Sequence, residues 1–184
     1  RAGIAAQTGI SRATMSRLVD ELIATGLVEE SDDKLSTGGR GRPTSVLSPA
    51  SGTVIALGLQ VNISVLGAYL VDLSGNVLAR ETLEGDFSGS DPQATLRKLA
   101  RMGRRVLREG REEGTTFLGS ALALPGLVSG DTLVTAPNLG WKNIPFDELT
   151  HPLHDLHVTL IANEADLAAF AVAHPRPGVP EGPA

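Results

Sequence analysis

The stretch Gly9–Gly26, GISRATMSRLVDELIATG, decides how the chain is read. Met15, Leu18, Val19, Leu22 and Ile23 recur at the i, i+3, i+4, i+7, i+8 spacing that lines one face of an amphipathic helix. Ser11 stands where an N-cap belongs and Gly26 where a helix stops. The opposite face carries Arg12, Ala13, Ser16, Arg17 and Asp20, and all but Asp20 are small or cationic. Such a face can lie in a DNA major groove, with Arg or Ser reaching base edges or phosphates. The candidate contacts are Ser11, Arg12, Ala13, Thr14, Ser16 and Arg17.

Working outward, Ala2–Thr8 reads as a short helix with Ile4 and Ala5 in its core, and Gly9-Ile10-Ser11 as a tight turn. Two helices around a Gly turn make a helix-turn-helix. An ordinary helical hairpin with a solvated face has the same periodicity, so the next segment matters. Leu27–Ser31 reads as a strand, Asp32–Pro43 as a polar, Gly-rich loop, and Thr44–Leu47 as a returning strand. The loop holds Arg40 and Arg42 among glycines, a cationic tip suited to a phosphate backbone or a minor groove. Helix-turn-helix plus hairpin is a winged helix; a basic interdomain linker is the plainer alternative.

Total charge does not favour DNA. Residues 1–48 hold six basic and six acidic side chains. The distribution is more favourable, with Arg12 and Arg17 on the outer helix face and Arg40 and Arg42 at the tip. So few phosphate partners imply weak binding by one copy and therefore a homodimer on a two-part site. Over all 184 residues the net charge is −5, which excludes a generally basic, nucleic-acid-coating protein. There is no cysteine, so disulfides and thiolate metal sites are excluded within these residues. No apolar run reaches membrane-spanning length and no signal-peptide pattern opens the chain, so a cytoplasmic protein is expected. Both ends look cut: the chain starts almost inside a helix and finishes in the Pro/Gly-rich stretch 175–184.

Ser48-Pro49-Ala50-Ser51-Gly52 is a linker by composition. Beyond it, Val54–Leu59, Ser64–Asp72 and Val77–Leu83 read as three strands of an antiparallel meander. Asp91-Pro92 opens a helix whose buried stripe is Leu96, Leu99, Met102, Val106 and Leu107. Its other faces carry Arg97, Lys98, Arg101, Arg104, Arg105, Arg108 and Arg111, a solvated face or else a second anion contact. Phe117–Leu124 is a strand, Val128–Val134 contains a turn, and Pro137–Trp141 reads as a polar loop. Phe146–Leu149 reads as a short helix, Val158–Ala162 as a strand, and Asn163–Asp166 as the start of a last helix, Leu167–Ala173. The order β-β-β-α-β-β-α-β-α implies an α/β layer, helices packed on a mixed sheet.

ALGLQVNISVLGAYLVDLSGNVL, ALPGLVSGD, APNLGWKNIPF and ANEADLAAFAVA, in this order behind a winged helix, resemble the ROK family of transcriptional regulators. The resemblance implies a winged helix-turn-helix (1–48), a linker (49–53), and the first half of an actin-like, sugar-kinase (ribonuclease H-like) domain over 54–174. ROK kinases carry an acid, two glycines and a Thr in the first hairpin, facing ATP phosphates. Here Gln60, Asn62, Ile63 and Ser64 occupy those positions. A phosphate loop needs glycine so that backbone N–H groups can approach the anion, and Gln60 cannot help hold Mg²⁺ as a carboxylate can.

The sugar side is better kept. By resemblance, Asn138, Asn163 and Glu164 match residues that bind sugar hydroxyls, Glu164 standing for the kinases' catalytic aspartate. Asp166 stands where the family usually has Asn. Without the resemblance, Asn163 and Asp166 read as helix caps and Asn138 as a turn residue. No cofactor is expected within this chain, since the family's zinc cluster has no counterpart before Ala184. His151, His154 and His157 are spaced by three, but Pro152 argues against one continuous helix. The sequence therefore implies a sugar-responsive repressor of carbohydrate genes, with DNA and a sugar as partners and no enzymatic activity. The alternatives are a sugar kinase with an added DNA-binding domain, or a DNA-binding module that has lost its ligand.

Overall fold

The computed structural model describes residues 1–31 and 46–173. Arg40, Arg42, the first residues of the returning strand (Thr44 and Ser45) and the Pro/Gly-rich end lie outside the described residues.

Helix α1 (Ala2–Thr8) stops at Gly9, which takes the left-handed conformation (φ 70°). Ser11 caps α2 (Arg12–Ala24), its hydroxyl accepting from the Thr14 N–H at 3.2 Å. At the other end Gly26 sits at φ 71°; its N–H donates to the Ile23 carbonyl and that of Leu27 to the Leu22 carbonyl, both at 3.0 Å. This closure satisfies the last carbonyls and needs a residue without Cβ strain. Strand β1 (Val28–Ser31) then pairs antiparallel with β2 (Val46–Pro49).

The core of this unit is Ala5, Met15 and Val19, with Ile23 and Leu47 packed on it. Ile4 and Leu22, read as core residues, are each 39 % exposed. They line an open apolar depression of about 380 Å³ together with Met15, Val19, Leu27, Leu47 and Leu73, so the stripe is wider than what the described residues cover.

The expected linker is largely structured. Ser48 and Pro49 belong to β2, where Pro49 stands opposite Val28 at the strand's end. Ala50 is buried and its N–H donates to the Leu27 carbonyl at 3.0 Å. The Thr53 hydroxyl donates to the Gly26 carbonyl. Asp72, 5 % exposed, gathers the rest. Its carboxylate accepts from the Ser51 hydroxyl (2.9 Å), the Gly52 N–H (3.1 Å), and the Asn76 N–H and amide (2.8 and 2.9 Å).

Beyond that junction β3 (Val54–Val61), β4 (Val65–Asp72), β5 (Val77–Glu84), β6 (Thr116–Leu124) and β10 (Val158–Asn163) form one sheet in the order β10-β6-β3-β4-β5. The meander β3-β4-β5 is antiparallel, whereas β6 and β10 run parallel to β3. Ile55, Leu57, Leu59 and Val61 of β3 alternate with half-buried residues, as expected of a strand with one face on a core.

Helix α3 (Pro92–Gly110), capped by the Asp91 carboxylate on the Ala94 N–H at 2.6 Å, covers that face with Leu96, Leu99, Met102 and Val106. Each such side chain contributes about 1.5–3 kcal/mol on burial. Gly103 lets α3 approach closely: a Cβ there would stand 3.1 Å from Leu59 Cδ2 and 2.8 Å from Leu156 Cδ1.

The stretch 127–145 departs from expectation. It forms a second sheet of β7 (Leu127–Ser129), β8 (Thr132–Ala136) and β9 (Trp141–Pro145). The turn read within Val128–Val134 is the bend of the β7–β8 hairpin, whereas the predicted polar loop is a 3₁₀ turn (Pro137–Leu139) followed by a strand. Trp141, the first residue of β9, buries its ring and donates its indole N–H to the Ser90 carbonyl at 2.7 Å. Helix α4 (Phe146–Thr150) and a 3₁₀ segment (His151–Leu156) follow, and α5 spans Glu164–Ala173. No helix among the described residues is long and apolar enough to cross a membrane.

Burial works against ionisation of Asp72, but the donors from Asn76, Ser51 and Gly52 outweigh it and hold the carboxyl below its ordinary value of 3.8. A depressed folded value means stability present above the unfolded value and lost as pH falls through the folded one. Asp72→Asn is therefore expected to destabilise the full-length protein by about 1–3 kcal/mol at pH 7. The gap in Tm from wild type should close below pH 4; a gap independent of pH would contradict this.

Candidate functional site

The structure presents two places where polar side chains converge without being consumed by the core. The first is the outer face of α2. Arg12, Ala13, Thr14 and Arg17 are exposed and Ser16 half-buried. Ser11 is committed to capping, bonding the Thr14 N–H and, at 2.9 Å, the Thr14 hydroxyl. Arg17 forms an i, i+4 pair with Glu21 at 3.0 Å, so it must give up that exposed partner to meet a phosphate. Arg12 has no ion pair among the described residues. Arg1 is turned inward to Asp20 (2.6 Å) and Glu30 (3.0 Å), which ties α1, α2 and β1 together and removes it from the basic face.

The second place is the carboxyl-terminal edge of the parallel strands β3, β6 and β10. Register brings their ends level: Gln60 stands beside Ala123, and Asn163 beside Leu124. Open α/β sheets bind ligands at this edge. Asn163 ends β10 and caps α5, its Oδ1 accepting from the Ala165 N–H at 2.7 Å while its amide donates to the Gly126 carbonyl. Glu164, the first residue of α5, accepts from the Asn62 amide at 3.0 and 2.9 Å and from the Gln60 amide at 3.4 Å. Asn163 and Glu164 are thus brought together, and the capping role read for Asn163 holds alongside any other.

Asn138 is not bonded to this group. It is exposed on the 3₁₀ turn after β8. Gly126 is the nearest link: at φ 135° it lies so close to β8 that a Cβ would stand 2.8 Å from the Ala136 Cα. The residues that sequence reasoning missed are Gln60 and Asn62, which it treated as losses from a phosphate loop. Their separation by two at a strand end was the available signal, since it puts both side chains on one side of the sheet.

The turn they flank does not fit a nucleotide phosphate. No residue from Val61 to Val65 takes the left-handed conformation, Ile63 occupies its tip, and the Gln60 amide is already engaged with Glu164. The histidines do not converge either: the 3₁₀ segment carries His151 and His154, and His157 ends it at φ 48°. On α3, Arg104 binds Asp155 through two bonds (2.5 and 2.9 Å) and Arg105 reaches Glu81 at 3.3 Å. Lys98 lies 5.7 Å over the Phe87 ring, while Arg97, Arg101 and Arg108 remain exposed.

Comparison with known proteins follows this division. The family model of the MarR family matches residues 2–35. The xylose repressor of Caldicellulosiruptor bescii is 28% identical over 172 residues, covering 92% of this chain and 42% of the repressor. That of Bacillus subtilis is 25% identical over 171 residues, 92% of this chain and 43% of the repressor. Over most of its length the chain is similar to these repressors. It spans less than half the length of these relatives.

Among solved structures, a ROK-family transcriptional regulator homologous to the E. coli MLC protein superposes with a TM-score of 0.59 at 21% identity, over 92% of this chain and 42% of its own. The ROK hexokinase of Thermus thermophilus gives 0.51 at 20% identity, over 65% and 38%. The regulator's likeness carries the whole fold, a winged helix-turn-helix followed by the mixed sheet of the first half of the ROK domain, and the hexokinase's carries about two thirds of the chain.

Two outcomes follow, both for the full-length protein. Gly126→Ala is expected to cost about 3 kcal/mol or more in denaturant unfolding, because the new Cβ would stand 2.2 Å from the Thr135 carbonyl oxygen. In gel shift, Arg12→Ala is expected to weaken binding by roughly 1–3 kcal/mol, and Arg17→Ala by less. Glu21→Gln, which frees Arg17, is expected to tighten it; unchanged binding in all three would remove this face from the interface.

Proposed function

We propose that this chain is the amino-terminal part of a sugar-responsive, DNA-binding transcriptional regulator, a repressor of carbohydrate-utilisation genes that works without phosphoryl transfer. One observation carries the reading: a helix-turn-helix whose exposed face presents Arg12 and Arg17 is joined, through the buried Asp72 junction rather than a loose tether, to a lobe with a polar strand-end site. The regulator relatives support it by covering both parts in one alignment. The absence of glycine between Val61 and Val65, and the amide at Gln60, support a lobe that binds ligand without transferring phosphate.

The sugar would meet Asn163, Glu164 and Asn138, whose amide and carboxylate groups suit vicinal hydroxyls. Xylose is the first sugar to try, because the curated relatives above are xylose repressors. To regulate, it must bind one conformation better than the other. The hairpin β3–β4 offers a connection: Gln60 and Asn62 lie at one end, Thr53 and Asp72 at the other. A homodimer would place two α2 helices on a two-part operator in the cytoplasm.

The test is binding of the full-length protein to the DNA upstream of its own gene between 50 and 200 mM salt, with and without D-xylose or D-glucose. Affinity should fall as salt rises, and one sugar should shift it about 5–150-fold in either direction. Salt-insensitive attachment, or indifference to every monosaccharide tried, would sink the proposal.

A further inference from the structure

The carboxylate of Glu164 is held by amides and, among the described residues, by no cation. Both its oxygens accept from Asn62 Nδ2, at 3.0 and 2.9 Å, and Oε2 also accepts from Gln60 Nε2 at 3.4 Å. Asn62 is itself fixed. Its Oδ1 accepts from the Ser64 N–H at 3.3 Å and from the Ser64 hydroxyl at 3.4 Å. The N–H can only donate, so it turns the oxygen of Asn62 toward Ser64 and the amide nitrogen toward Glu164. The hairpin turn behind it is closed by the Asn62 N–H on the Val65 carbonyl at 2.9 Å. Among the described residues no Arg or Lys pairs with Glu164.

From this arrangement we infer that Asn62, assisted by Gln60, is the positioning residue for Glu164, and that the site takes a neutral polyhydroxyl ligand rather than a phosphorylated one. The inference rests on the sugar-binding reading given above. A carboxylate offers about four acceptor sites. The two amides engage three of them from the β3 side, leaving the remainder to accept a ligand hydroxyl. The amides donate to the carboxylate and bring no positive charge to it. A phosphate dianion brought to Glu164 would meet a carboxylate that no cation pairs with among the described residues, whereas a sugar hydroxyl donates to it directly.

The experiment is calorimetric titration of the full-length protein with D-xylose, D-glucose and D-glucose 6-phosphate, on wild type, N62D, E164Q and the double variant N62D/E164Q. Melting curves check that each is folded. N62D sets a second carboxylate against Glu164 and is expected to weaken sugar binding at least tenfold. N62D/E164Q re-forms an amide–carboxylate pair with donor and acceptor exchanged, and is expected to bind more tightly than N62D. Asn62→Ser removes the amide without adding charge; it must also lose affinity, and it carries the test if N62D does not fold.

Sugar affinity unchanged in N62D and Asn62→Ser, or a double variant weaker than either single one, would overturn the positioning role. Tighter binding of the phosphorylated sugar than of D-glucose would overturn the neutral-ligand assignment. Failure of the wild-type protein to bind either free sugar is a different result: it would overturn the sugar-binding reading itself, and the positioning role with it.

Discussion

Parallel pairing of β3, β6 and β10 is the constraint on which the rest depends. Parallel strands cannot be joined by tight turns, so the chain must cross over between them, and α3 supplies the first crossover. Its stripe of Leu96, Leu99, Met102 and Val106 closes over Ile55, Leu57, Leu59 and Val61. Once that face is sealed, the three strands end level with one another, and Gln60, Asn163 and Glu164 share one edge. The polar cluster is a consequence of register: sliding β10 by one residue would turn Asn163 to the other side of the sheet.

The other end of the same sheet does a different job. Asp72 closes β4 and draws in Ser51, Gly52 and Asn76, while Thr53 reaches back to the Gly26 carbonyl that follows α2. What composition marks as a linker is thereby a hydrogen-bonded joint with Ala50 buried inside it. A buried carboxylate with four donors resists rotation, because every donor it released would need a new acceptor. The helix-turn-helix is therefore attached to the sheet at a defined orientation, and β3 and β4 run from that joint to the polar edge.

The cationic face of α2 is sparse. Arg17 is shared with Glu21, Arg1 is turned inward, and Arg12 has no ion pair among the described residues. A face with so few free cations offers little non-specific attraction to a polyanion.

Much of the fold is legible in the residues. The helical period of Met15, Val19 and Ile23, the caps Ser11 and Asp91, and the stop at Gly26 are local signals, and each element they announce is present. Strand content after Leu124 was harder to read. β7, β8 and β9 are short, and Trp141 of β9 is anchored by a hydrogen bond to Ser90, far from its sequence neighbours. Ile4 and Leu22 show the converse, apolar residues whose period promises burial that the described residues do not provide. The sequence by itself determined the winged-helix start, the mixed α/β class and Asn163 and Glu164 as polar residues at a strand–helix boundary, because those follow from spacing within a few residues. Only the tertiary structure decided that Gln60 and Asn62 hold Glu164 and that Asp72 locks the linker. Those contacts join residues 102–104 and 20–21 positions apart, and chain proximity carries no information about them.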